Sequence, residues 1–211
     1  MGSSGGNWPP SALGTVQVPA SACIFSISSR RRINVPAATA FSTLCDTSTY
    51  PSWNTWVPNI TIQSQPASNN SAEAGDSKLS SILRMGTVFT LHVIMDAAKP
   101  TKRTNTSQKV TDFSTPSQRS DYVSDQLFEA SSFYPDPGQV YRIAWAMEGG
   151  WPGLKSERFH EIIIIDETEC EVRTWECMGG PLALVVKWIF QTTLQGKFEL
   201  WLADLKKFCE Q

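Results

Sequence analysis

The chain ends in a proline-free run from Leu182 to Glu210. Within it Leu194, Phe198, Trp201, Leu205 and Phe208 fall on one stripe at three- and four-residue spacing, and Val186, Ile189 and Thr193 extend that stripe. This is the pattern of an amphipathic helix with one buried face. At 1.5 Å per residue it reaches about 40 Å, so the rest of the chain must offer a long apolar surface to receive it.

What precedes the helix is mostly strand. Cys23–Val35 reads as a first strand. Pro36 suits the first turn of a helix, and Ala37, Ala40, Phe41 and Leu44 share one face of a helix over Ala37–Cys45. Tyr50-Pro51 biases Tyr50 away from helix, and a short second helix is expected around Pro51–Thr55. Further strands are expected at Val57–Ser64, within Leu79–Ala97, and at Arg103–Phe113, Val140–Glu148, Glu157–Ile165 and Cys170–Met178. Alternation is clearest at Phe89, Leu91, Val93 and Met95, and at Tyr141, Ile143, Trp145 and Met147. Residues 65–77 read as a polar loop and Gly149–Gly153 as a turn. Residues 1–22 read as a flexible lead-in, ordered only if it docks, and 23–211 as a single domain. The irregular segment 114–139, with a short helix at Asp121–Ala130, is an insertion of the kind used as a lid. Strands and helices are segregated, so the fold class is α+β. It is a curved antiparallel sheet wrapped around a long C-terminal helix, with two short helices after the first strand.

Composition narrows the function. The hydrophobic fraction is 41% over 211 residues and the formal net charge is -2, which favours neither nucleic acid nor an anionic membrane. Arg30-Arg31-Arg32 is too short for a basic patch. No apolar run approaches the ~18 residues of a membrane span. The five cysteines include no CxxC pair, so neither a disulfide framework nor a zinc site is indicated. No cluster has metal-ligand spacing, and no metal or redox cofactor is expected. Free thiols and the lack of a secretory pattern in the first residues point to the cytoplasm. The sequons at Asn59, Asn69 and Asn105 read as chance matches. Eight tryptophans are many for this length and hint at an aromatic-lined pocket.

Several local patterns occur in a telling order. Ile33-Asn34-Val35-Pro36-Ala37 leads to Phe41, Asp46 and Tyr50-Pro51-Ser52-Trp53. The strand Val140–Trp145 passes through the glycine turn to Glu157-Arg158-Phe159. Thr174-Trp175-Glu176 leads through Gly180-Pro181-Leu182 into the last helix, which ends Leu205-Lys206-Lys207-Phe208. Over about residues 23–210 this resembles the SRPBCC superfamily of START, birch-pollen-allergen-like and polyketide cyclase proteins. The resemblance implies a helix-grip fold enclosing a cavity for lipids, quinones, hormones or polyketides. Where several members carry histidines, this chain has Glu157 and Thr174.

No nucleophile elbow, P-loop, HExxH or dinucleotide fingerprint is present. Catalysis would therefore use isolated polar groups in an apolar cavity, where burial moves a carboxyl or imidazole pKa towards neutrality. The candidates for proton transfer are Tyr141, His160, Glu161 and Glu176. Candidate ligand walls are Trp53, Trp56, Phe89, Leu91, Val93, Trp145, Trp151, Trp175 and Trp201. His92 shares the face opposite Phe89 and Leu91 and is expected in solvent. His160 and Glu161 lie on opposite faces of one strand, and parity alone leaves open which points inward. The resemblance implies an apolar small-molecule partner. Cofactor-independent cyclisation or dehydration of a polyketide-like intermediate is one implied activity, simple carriage of a hydrophobe a second, and ligand sensing a third.

Overall fold

The computed structural model describes residues 8–9, 13–66, 79–123 and 136–211. Strand β1 (Cys23–Ile33) is followed by α1 (Ala37–Cys45) and α2 (Tyr50–Trp53). Then come β2 (Asn59–Ser64), β3 (Val88–Val93), β4 (Thr104–Ser114), β5 (Val140–Met147), β6 (Lys155–Ile164), β7 (Cys170–Gly179) and the long helix α3 (Pro181–Cys209). The seven strands form one antiparallel sheet in the order β1-β7-β6-β5-β4-β3-β2. The sheet is curved and unclosed, and α3 lies in its concavity. This is the helix-grip α+β architecture expected. The middle of the 114–139 insertion, most of its expected helix and most of the 65–77 loop lie outside the described residues.

The entry to the grip is built by short-range hydrogen bonds. Asp46 Oδ1 accepts from the Ser48 amide at 3.0 Å and starts a 3-10 turn at Thr47–Thr49. The Tyr50 hydroxyl donates to the Leu44 carbonyl at 2.8 Å, and Trp53 Nε1 donates to Thr49 Oγ1 at 3.1 Å. Both rings then pack on Trp201 of α3. The Asp–Tyr–Pro–Trp spacing is thus a folding device, which delivers two aromatics to the helix. At the far end, Asp204 Oδ2 accepts from the amide and hydroxyl of Thr55.

Helix α3 buries Leu194, Phe198, Trp201, Leu202 and Leu205. Ile189 and Thr193, expected to extend this stripe, are exposed. In the first part of the helix the sheet is held away by a cavity, and Leu184, Val185, Trp188, Ile189 and Phe190 keep much of their surface in solvent. Among the described residues no helix is long and apolar enough to cross a membrane.

Both sheet faces are covered. On the convex side Leu13, Val18 and Val123 pack with Ala144, Phe159, Trp175 and Cys177. Residues 13–22 therefore lie against the body, tied by Glu157, which accepts from the Gln17 amide at 2.9 Å. Glu157 also accepts from Thr111 Oγ1 at 2.8 Å and the Tyr122 hydroxyl at 2.7 Å.

Candidate functional site

The concave face of the sheet and the first half of α3 enclose a cavity of about 370 Å³. Its walls are apolar: Trp56, Leu91, Val93 and Trp145 from below, Leu182, Val186, Phe190 and Leu194 from the helix, and Trp151 at the rim. Trp151 is 75% exposed. Polar groups are few. Thr104, Thr106 and Gln108 come from β4, Ser156 and Arg158 from β6, and Glu176 from β7. Among the described residues, the lining holds one carboxyl and one guanidinium.

Strand pairing sets Arg158 directly opposite Glu176. Arg158 is only 3% exposed. Its Nε donates to Thr174 Oγ1 at 3.2 Å, and its guanidinium lies over the rings of Phe198, Trp201 and Trp56 at 4.0, 4.4 and 5.3 Å. Aromatic faces thus do for this cation part of what water does elsewhere. Burial pulls its pKa down to about 10, with Glu176 and Tyr50 opposing, and it stays a cation at neutral pH. The Glu176 carboxyl is shifted upward by burial, against the pull of the Arg158 charge and the Ser156 hydroxyl. Its half-buried surface faces the cavity. A carboxyl shifted upward in this way is a better proton donor-acceptor than a solvated one.

His160 is also on the concave face but lies behind the cavity wall. It sits against Trp145 with ring centroids 4.4 Å apart and against Trp201 at 5.6 Å. Neither ring nitrogen has a hydrogen-bond partner. Burial first, and the Arg158 charge second, hold it well below the usual histidine pKa. Tyr141 faces inward at the other end of β5, against Phe41 at 5.2 Å, and is not part of the lining.

Glu161 points to the convex side. It accepts from Arg142 Nε at 3.2 Å, while Arg142 Nη1 donates to Asp112 at 3.3 Å, so its surroundings are a buried ion cluster. Trp175 is on that side too, stacked on Phe159 at 5.0 Å. Of the candidate walls, Trp56, Leu91, Val93, Trp145 and Trp151 line the cavity. Trp53, Phe89 and Trp201 form the layer behind it. His92 is half-buried on the face away from Phe89 and Leu91, with Nε2 2.8 Å from Thr61 Oγ1. Arg158 was absent from the candidates because a strand arginine ordinarily extends to water. The available signal was parity, since it shares its face with His160, Ile162 and Ile164.

No family model matches the chain. The oxopyrrolidines biosynthesis cluster protein O of Penicillium oxalicum is 31% identical over 212 residues, covering 94% of this chain and 93% of that protein. Among solved structures, a hypothetical protein from Helicobacter pylori superposes with a TM-score of 0.59 at 14% identity, covering 88% of each chain. The Zhui aromatase/cyclase from Streptomyces sp. R1128 superposes with a TM-score of 0.52 at 9% identity, covering 87% of this chain and 94% of that one. With this relative, the chain belongs to the family of the oxopyrrolidines biosynthesis cluster protein O, and it shares its fold with these solved structures.

Proposed function

We propose that the protein takes an apolar biosynthetic intermediate into this cavity and promotes its cyclisation or dehydration by proton transfer through Glu176. The observation that carries the reading is a carboxyl with a raised pKa in a mainly apolar wall. In a dehydration, neutral Glu176 would protonate the departing hydroxyl. Water leaves, and the resulting carboxylate takes the proton from the adjacent carbon, which restores the acid. The cavity would meanwhile hold a flexible chain in one reactive conformer. A relative named for a biosynthesis cluster supports a biosynthetic setting.

A second reading, carriage without chemistry, is favoured by a specific feature. His160, Tyr141 and Glu161 are not among the lining residues, so among the described residues Glu176 shares the cavity with no other acid–base group than Arg158. The two readings part on one experiment. Wild type and Glu176→Gln are incubated with a poly-β-ketone mimic, and products are compared with a protein-free control. Catalysis predicts a changed product profile for wild type that the variant loses, with ligand retention by native mass spectrometry intact in both. A wild-type profile equal to the control rejects catalysis and leaves carriage.

A further inference from the structure

Arg158 is a buried cation whose hydrogen-bonding capacity is mostly unspent. Of its guanidinium nitrogens, Nε is used by Thr174, and among the described residues no acceptor serves either Nη. Nη2 is fully buried in that state. A guanidinium is expensive to bury without a counter-charge. The carboxyl across the strand pair, Glu176, is directly in register, yet among the described residues it forms no ion pair within 4 Å. Three aromatic rings lie within 5.3 Å of the group and stand where water would otherwise solvate it. The cavity that it lines is otherwise apolar, with Trp145, Leu91 and Val186 among its walls.

We propose that Arg158 is an oxyanion anchor, and that the ligand is an apolar molecule ending in a planar acidic oxygen group, either a carboxylate or the enolate of a 1,3-dicarbonyl. Nη1, the guanidinium nitrogen that is neither bonded to Thr174 nor fully buried, is the donor for a charge-assisted hydrogen bond to such an oxygen. Glu176 in its acid form is a second donor from the neighbouring strand, and the ligand supplies the negative charge that Arg158 otherwise lacks. This rests on the reading of the cavity as the ligand site and adds its charge preference.

The test uses decanoate, 1-decanol and methyl decanoate as probes, each displacing the neutral fluorophore N-phenyl-1-naphthylamine from the full chain at neutral pH. Wild type is expected to bind decanoate at least about tenfold more tightly than either neutral probe, as a charge-assisted contact would give. Arg158→Met should lose that preference while its affinity for 1-decanol stays within about threefold. Arg158→Lys keeps the charge on a differently shaped head and should retain a weakened preference. Glu176→Gln should still prefer decanoate. Equal binding of decanoate and 1-decanol by wild type overturns the anchor and leaves the apolar cavity standing. Loss of the preference in Glu176→Gln with its retention in Arg158→Met also overturns it, assigning the contact to Glu176. If no probe and no fluorophore binds wild type, the cavity reading itself fails.

Discussion

His160 makes a prediction whose upper limit is set by the ordinary histidine pKa. The imidazole is enclosed by Trp145 and Trp201, has no hydrogen-bond partner, and lies on the same face as the Arg158 cation. It is therefore neutral in the folded protein well below its ordinary value of 6.5. In the unfolded chain it titrates at that ordinary value. As pH falls through 6.5 the unfolded state binds a proton that the folded state refuses, so folding stability drops on acidification and levels off above 6.5. The unfolded state gains RT ln(1 + 10^(6.5 − pH)), which comes to about 2 kcal/mol at pH 5 and a few tenths at pH 7. Glu161 and Glu176 act with the opposite sign. Their folded-state pKa values are raised, so each adds stability that is complete below its unfolded value of 4.5 and is lost as pH rises through the folded one.

The His160 contribution is isolated by a difference. Urea unfolding of wild type and His160→Leu is followed by tryptophan fluorescence at pH 7 and pH 5, and the carboxyl contributions cancel between the two proteins. Leucine is close to histidine in volume and removes two unpaired buried nitrogens, so the variant should equal or exceed wild type at pH 7. Between pH 7 and pH 5 wild type should lose about 2 kcal/mol relative to the variant. A difference that is flat with pH, or one in which wild type gains, refutes the buried neutral imidazole.

Two further perturbations test the frame around the site. Arg142→Met leaves Asp112 and Glu161 facing each other in the buried convex-side cluster, and should cost about 3–5 kcal/mol by denaturant unfolding; a loss under about 1 kcal/mol would show that the cluster is not desolvated. Gly180→Ala should cost about 2–3 kcal/mol, because Gly180 has φ +86° and an added Cβ would run into the Gly153 carbonyl oxygen, the same oxygen that accepts from the Leu182 amide at the start of α3; an unchanged midpoint in thermal unfolding would refute this.

The long helix and the strand order were legible because each rests on one period repeated many times. The aromatic stripe ending in Phe198, Trp201 and Leu205 could belong only to a buried helix face, and Phe89, Leu91 and Val93 alternate against polar neighbours. The site was less legible for a physical reason. On β6 and β7 both faces are buried, the concave one by α3 and the convex one by residues 13–18 and 122–123. Alternation of apolar and polar residues distinguishes core from solvent, but here there is no solvent side to contrast. Glu161 and Glu176 therefore looked equivalent as buried carboxylates, and only their pairing separates them. One meets Arg142 and Asp112 outside the grip, the other Arg158 inside it.

That two-sided burial also explains how the pair in the cavity is held in place. Register on β6–β7 sets Arg158 against Glu176 on the inner face, and the next rung sets Phe159 against Trp175 on the outer. A slip of β7 by one residue would exchange its two faces, sending the Glu176 carboxyl under Leu13 and Val18 and Trp175 into the cavity. The stacked Phe159–Trp175 rings, 15° from parallel, oppose that slip, and Trp175 Nε1 donates to the Gly14 carbonyl at 3.4 Å. The N-terminal segment is far from the cavity, yet it covers the rung that fixes which strand face the cavity receives. Its packing and the chemistry of Arg158 and Glu176 are two consequences of one register.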